Sequence, residues 1–104
     1  MCRIASNLEV EQTEVFRTWL AALKDKAGKT RILARIIRLQ TGNFGNAHSV
    51  GGKVSELVID VGPGYRVYLT RMGATLVLLL CGGDKGTQAA DIRFAKRTVE
   101  SFKD

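Results

Sequence analysis

Histidine and proline each occur once in this 104-residue chain, and cysteine occurs twice. With one imidazole and no Cys/His cluster, the chain has no ligand set for a structural zinc ion, and no metal or cofactor is expected. Cys2 and Cys81 lie far apart and form no motif. Cys81 ends an apolar run and reads as a small core residue rather than half of a disulfide. No apolar run approaches the roughly 18 residues of a membrane-spanning helix. The longest, Thr75 to Cys81, has the length of a buried strand. Met1 to Asn7 is not followed by an apolar stretch, so no signal peptide is expected, and the location expected is the cytoplasm, with no membrane partner.

The length suits a single domain spanning residues 1–104, with residues 1–7 expected as a flexible N-terminal extension. The hydrophobic fraction of 45% argues against disorder. Sixteen basic residues against ten acidic give a net charge of +6. That excess fits either a polyanionic or acidic partner or simple solubility, depending on where the charges lie.

Leu8 to Gln12 alternates apolar and polar residues, as a short strand does. Thr13 suits an N-cap, and Val15, Phe16, Trp19, Leu20 and Leu23 then recur at helical spacing. This first helix is expected to end near Lys26, with Ala27-Gly28 as the break. A second helix is expected from Lys29 to Thr41, with the apolar stripe Ile32, Leu33, Ile36, Leu39 and an opposite face carrying Arg31, Arg35 and Arg38. Gly42 stops it, and the short break predicts a helical hairpin. Asn43 to Gly52 reads as a loop, with a possible short strand at Ala47 to Val50.

Three strands follow, around the turns Gly62-Pro63-Gly64 and Met72-Gly73-Ala74. Leu57, Ile59 and Val61 share one face of the first, and Glu56, Val58 and Asp60 the other. Tyr65, Val67 and Leu69 oppose Arg66, Tyr68 and Thr70 in the second. The third, Leu76 to Leu80, lacks alternation, which predicts a central strand covered on both faces. The final helix, from near Thr87, sets Ile92, Ala95, Val99 and Phe102 on one face. The order β-α-α-β-β-β-α predicts an α+β fold: a twisted antiparallel sheet packed against a helical hairpin and a C-terminal helix.

Several groups can carry chemistry. Arg66 follows a Gly-Pro-Gly turn, where a guanidinium either forks onto a phosphate or sits on a sheet edge. Lys85 lies in Gly82-Gly83-Asp84-Lys85-Gly86, a turn whose N–H groups can face an anion or merely join strand to helix. Its spacing is not that of a Walker A loop. His48 is the one side chain that ordinarily exchanges protons near neutral pH. Lys53 and Glu56 stand at the entrance of the sheet. The stripe Arg31, Arg35, Arg38 either grips phosphates or an acidic peptide, or is a solvated helix face.

These residues are similar in order and spacing to a known family. Phe16 with Trp19-Leu20, Arg35 with Gly42-Asn43-Phe44-Gly45, and Ser55-Glu56-Leu57 carry part of the likeness. Gly62-Pro63-Gly64-Tyr65-Arg66-Val67-Tyr68 and Leu79-Leu80-Cys81-Gly82-Gly83-Asp84-Lys85 are its most specific parts, with Gln88, Asp91-Ile92 and Ala95 following. From about Leu8 to Val99 the chain resembles the RelE/ParE superfamily of bacterial toxins, and within it the phage-derived, HigB-like branch called addiction-module killer proteins.

The resemblance implies a RelE-like fold and the toxin of a type II toxin–antitoxin module in a bacterial cytoplasm. Its partners would be an antitoxin encoded by an adjacent gene, usually a helix-turn-helix protein, and the ribosome with its messenger RNA. The implied activity is metal-independent, ribosome-dependent RNA cleavage, in which a 2′-OH attacks the adjacent phosphate. That reaction needs a base, a cation for the phosphate and an acid for the leaving oxygen. Arg66 matches the phosphate-stabilising arginine of the family, and Lys85 the basic position after the last strand, binding a phosphate or protonating the leaving group. The base is His48 or Glu56, or Lys53 if its pKa falls substantially. Lys53, Tyr68, Arg31, Arg35 and Arg38 are the expected RNA-binding set. The chain departs from the branch at Gly45-Asn46 (commonly Gly-Asp), at His48 (often lysine) and at Val58 (usually arginine). Two alternatives share the scaffold: a non-enzymatic, ParE-like inhibitor of DNA gyrase, and a degenerate toxin that only binds its antitoxin.

Overall fold

The computed structural model describes residues 7–102. Most of the expected N-terminal extension, residues 1–6, lies outside the described residues, as does Cys2. The elements run β1 (Glu9–Gln12), α1 (Glu14–Ala22), α2 (Lys26–Gln40), β2 (Ala47–Gly51), β3 (Val54–Ile59), β4 (Tyr65–Met72), β5 (Leu76–Gly83), a 3-10 turn (Lys85–Thr87) and α3 (Gln88–Glu100). The fold is α+β, as expected, and the short strand at Ala47 is present.

The sheet is mixed rather than antiparallel. Its order is β1-β5-β4-β3-β2. β2 to β5 form an antiparallel meander, but β1 pairs in parallel with β5. Parallel pairing needs a long crossover, and the two helices with the meander supply it. The central strand is therefore β4, while β5 is interior and still covered on both faces.

Alternation along the strands sorts the apolar residues into two layers. Leu57, Ile59, Tyr65, Val67, Leu69, Val77 and Leu79 pack against Phe16 of α1 and Ile32, Ile36 and Leu39 of α2. Val54, Tyr68, Leu80 and Cys81 pack against Ala95 and Val99 of α3 on the other side. Leu80 and Cys81 are successive residues yet share a face. The ladder pairs Tyr68 with Cys81 and then Leu69 with Leu79, so Leu80 is an extra residue on β5. Such a bulge turns one side chain over and re-aims those beyond it.

The helix boundaries differ from the periodicity reading. α1 stops at Ala22, and α2 begins at Lys26, before Gly28. Asp25, not Gly28, marks the break: its carboxylate accepts from Gly28 N at 3.0 Å and from the Tyr65 hydroxyl at 2.8 Å. Gly28 sits inside the first turn because the Tyr65 ring crosses it; a Cβ there would lie 2.5 Å from Tyr65 Cε2. Thr13 does cap α1, accepting from Phe16 N at 3.0 Å. Gly42 follows α2 with φ of 87°, and its N–H donates to Leu39 O at 2.9 Å.

Three residues assigned to apolar stripes are on the surface instead: Val15, Leu33 and Phe102. Val15 and Leu33 lie at the margin of their helices' buried arcs, and Phe102 falls in the turn beyond α3, which ends at Glu100. Ile32, Ile36 and Leu39 already fill the α2 contact, so Leu33 turns outward beside Ile37.

Candidate active site

The α3 side of the sheet carries a polar row in an otherwise apolar layer. The ladder sets His48 opposite Glu56, Glu56 opposite Tyr68, and Tyr68 opposite Cys81. Directly opposed residues on one face place their side chains in contact. Arg66 precedes Tyr68 by two residues, stands opposite Val58, and therefore reaches Glu56 on the diagonal.

Glu56 is the hub, and its side chain is only 1% exposed. Oε1 lies 2.8 Å from His48 Nε2. Oε2 accepts from the Tyr68 hydroxyl at 2.8 Å and from Gln88 Nε2 at 2.7 Å. Arg66 Nε stands 3.6 Å from the same oxygen. A carboxylate is an acceptor with room for about four bonds, and all four neighbours present donors. Burial first, and then the bond to Glu56, push the Tyr68 hydroxyl well above the usual phenol range, so it remains a donor.

Both oxygens of Glu56 are thus occupied by protein donors, and Oε1 holds the His48 ring across the β2–β3 ladder. His48 is itself 54% exposed. With Nε2 turned to Glu56, Nδ1 has no hydrogen-bond partner among the described residues.

Arg66 is held from two sides. Nη1 donates to Gly64 O at 2.7 Å, while Nε, buried and without a hydrogen bond, faces Glu56. A guanidinium has five N–H donors, so one hydrogen bond leaves most of its fork open. Gly64 has φ of 80° and no room for a side chain: a Cβ would fall 2.9 Å from Arg66 Nη1 and 3.7 Å from Lys85 Cβ. Gly64 thus lies against both the Arg66 guanidinium and the base of the Lys85 side chain. Lys85 is exposed and opens the 3-10 turn, which Asp84 caps by accepting from Gly86 N and Thr87 N.

The remaining expected residues lie elsewhere. Lys53 occupies the β2–β3 turn at φ of 63° and lines a separate hollow with Thr70, Met72 and Phe102. Arg31, Arg35 and Arg38 line a hollow of about 200 Å³ beside Ile59 and Asp60, away from the Glu56 cluster. Arg35 is not a free member of that stripe. Its fork donates to Val58 O at 2.6 Å, Phe44 O at 2.9 Å and Asn46 O at 3.2 Å. Burial and the nearby Arg38 lower its pKa, though an arginine remains charged. These bonds hold the loop before β2 against β3.

Gln88 is the member that sequence reasoning left without a role. Its signal was position: the first residue of α3, just after the glycine turn. Cys81 belongs to the apolar layer, where burial and Asp91 push its thiol up to about 12, which suppresses the reactive thiolate.

Among the described residues no three His, Cys, Asp or Glu side chains are grouped to hold a metal ion. None of the described helices is long and apolar enough to cross a membrane. No protein-family model matches the chain. A protein of Haemophilus influenzae (strain ATCC 51907 / DSM 11121 / KW20 / Rd), described as an uncharacterized protein, is 52% identical over 95 residues, covering 91% of this chain and 96% of the relative. That likeness extends from the first strand into the last helix, and the chain belongs to the same family as this Haemophilus protein.

Proposed function

We propose that this protein is the toxin of a type II toxin–antitoxin pair, with a RelE-like fold of the HigB-like branch, and that it cleaves messenger RNA on the translating ribosome without a metal ion. The observation that carries the reading is the His48–Glu56 pair beside Arg66: an accessible imidazole, oriented by a buried carboxylate, next to a guanidinium with donors to spare.

The chemistry follows from those groups. His48 Nδ1 takes the proton from a 2′-OH, whose oxygen attacks the adjacent phosphorus. The P–O5′ bond breaks as the P–O2′ bond forms, leaving a 2′,3′-cyclic phosphate and a free 5′-OH. Arg66 meets the charge on the phosphate oxygens. Lys85, exposed beside the Arg66 turn, donates the proton that the departing 5′ oxygen needs. His48 thus fills the place where the branch often has lysine. The expected partners are an antitoxin encoded beside the gene, and the ribosome.

A second reading rests on the low exposure of Arg66, 14%. An arginine so enclosed also suits a buried polar tie between β3, β4 and α3 in a protein that binds its antitoxin, or DNA gyrase, without cutting anything. Induction of the gene, with and without the adjacent open reading frame, separates the two. Cleaved messages with intact DNA support the nuclease. Intact messages with broken DNA support gyrase inhibition, and no growth arrest supports antitoxin binding alone.

A further inference from the structure

Beyond the groups that would do chemistry, a hollow of about 320 Å³ opens on the opposite side of β2, walled by Phe44, Ala47, His48, Ser49, Ser55 and Arg71. β2 is the edge strand of the sheet. His48 sends its imidazole to Glu56 on one face, while its neighbours Ala47 and Ser49 belong to the other. One residue therefore joins the two places around a single strand edge.

The walls have a specific composition. Arg71 Cζ lies 5.3 Å from the centroid of the Phe44 ring, a cation over an aromatic face. Ser49 and Ser55 face each other across the β2–β3 ladder. The Ser49 hydroxyl accepts from Gly51 N at 3.2 Å, and that of Ser55 has no partner among the described residues. The Phe44 backbone is anchored, because Arg35 donates to the carbonyls of Phe44 and Asn46 on either side of Gly45, and its half-buried side chain packs against the core. The Arg71 guanidinium is itself steadied by donation to Ala74 O at 3.1 Å. An aromatic plane, a guanidinium plane and two serine hydroxyls are what an unpaired base needs, namely a stacking surface and hydrogen bonds at its edge.

We infer that this hollow is a base-binding subsite: it takes an unpaired RNA base flanking the phosphate held at His48 and Arg66, stacked on Phe44 and Arg71 with its edge on Ser49 and Ser55. The inference rests on the RNA-cleaving reading for its substrate class. It assigns base preference to residues outside the chemical groups.

The test uses the full chain and a fluorescent 2′-O-methyl RNA hexamer, which lacks the attacking hydroxyl. Phe44→Leu keeps apolar bulk and removes the ring; Phe44→Trp keeps a ring. Arg71→Gln, on an exposed side chain, probes the stack without disturbing packing. Phe44→Leu and Arg71→Gln are expected to weaken binding about tenfold or more, with Phe44→Trp near wild type. An abasic hexamer should bind wild type and Phe44→Leu alike. Thermal melts confirm folding. Unchanged affinity in folded Phe44→Leu and in Arg71→Gln overturns the subsite, as does a wild type that binds no RNA. Cleavage in a translating extract is scored separately. Ring-dependent binding with intact messages removes the nuclease reading and leaves the subsite standing. Cleavage at the same sites and rate in both variants removes the subsite and leaves the nuclease.

Discussion

His48 Nε2 lies 2.8 Å from Glu56 Oε1, joining an exposed imidazole to a buried carboxylate. The bond spans the β2–β3 ladder, so strand register, not a loop, fixes the imidazole. Side chains on regular elements hold catalytic geometry better than side chains on loops. Loss of the imidazole should therefore affect chemistry far more than folding. His48→Gln is expected to lower the cleavage rate by about a hundredfold or more, with little change in the urea midpoint.

Glu56 should behave in the opposite manner. Glu56→Ala strands the Tyr68 hydroxyl, the Gln88 amide and the Arg66 charge in a buried layer. Removing one partner of a buried pair costs about 3–5 kcal/mol, so urea denaturation should show a large loss of stability. Replacing Arg66 by Met in the same protein should recover part of it, because the unpaired charge goes too.

The chain has two tyrosines, Tyr65 and Tyr68. Hydrogen bonding to Asp25 raises the pKa of the first, and burial that of the second. A raised folded pKa contributes stability that is present below the unfolded value near 10 and lost as pH rises through the folded value. Phenolate absorbance should therefore appear together with unfolding above pH 10, not as a separate step before it. Tyr68→Phe should flatten the alkaline limb of the stability profile.

Asp25 has the reverse sign. Its bonds from Gly28 N and Tyr65 lower its pKa below 3.8. Its contribution is present above that value and disappears as pH falls through the lower, folded one. Asp25→Asn should weaken the acid dependence of stability below pH 4 without moving the neutral-pH cleavage rate, since Asp25 caps α2 on the other side of the sheet.

Arg35→Lys tests the loop anchor. A single ammonium cannot reproduce three carbonyl bonds from one planar fork. Amide exchange should accelerate over residues 43–46, and Gly45, at φ of 63° against the guanidinium, marks the expected centre of loosening.

Much of this arrangement is legible in the residues. Alternation in Glu56–Ile59 and Tyr65–Thr70 placed Glu56, Arg66 and Tyr68 on one face, and ladder pairing made them neighbours. The motif around Arg66 and Lys85 falls at the end of the sheet where Arg66 approaches Glu56. What eluded the pattern depends on distant contacts. β1 has the same alternation whether its partner runs parallel or antiparallel. The bulge at Leu80 leaves no mark in a run without polar residues. Arg35 fits a helix stripe by spacing, and only the folded loop brings it the carbonyls of Phe44, Asn46 and Val58. The donors around Glu56 come from β2, β4 and α3, and nothing in its own strand marks them.

The most direct measurement is mapping of RNA ends after induction of wild type, His48→Gln and Arg66→Ala, on translated and untranslated messages. The account predicts new cleavage sites only in translated messages with wild type, and none with either folded variant. Growth arrest by wild type with every message intact, or cleavage that persists in both variants, would contradict it.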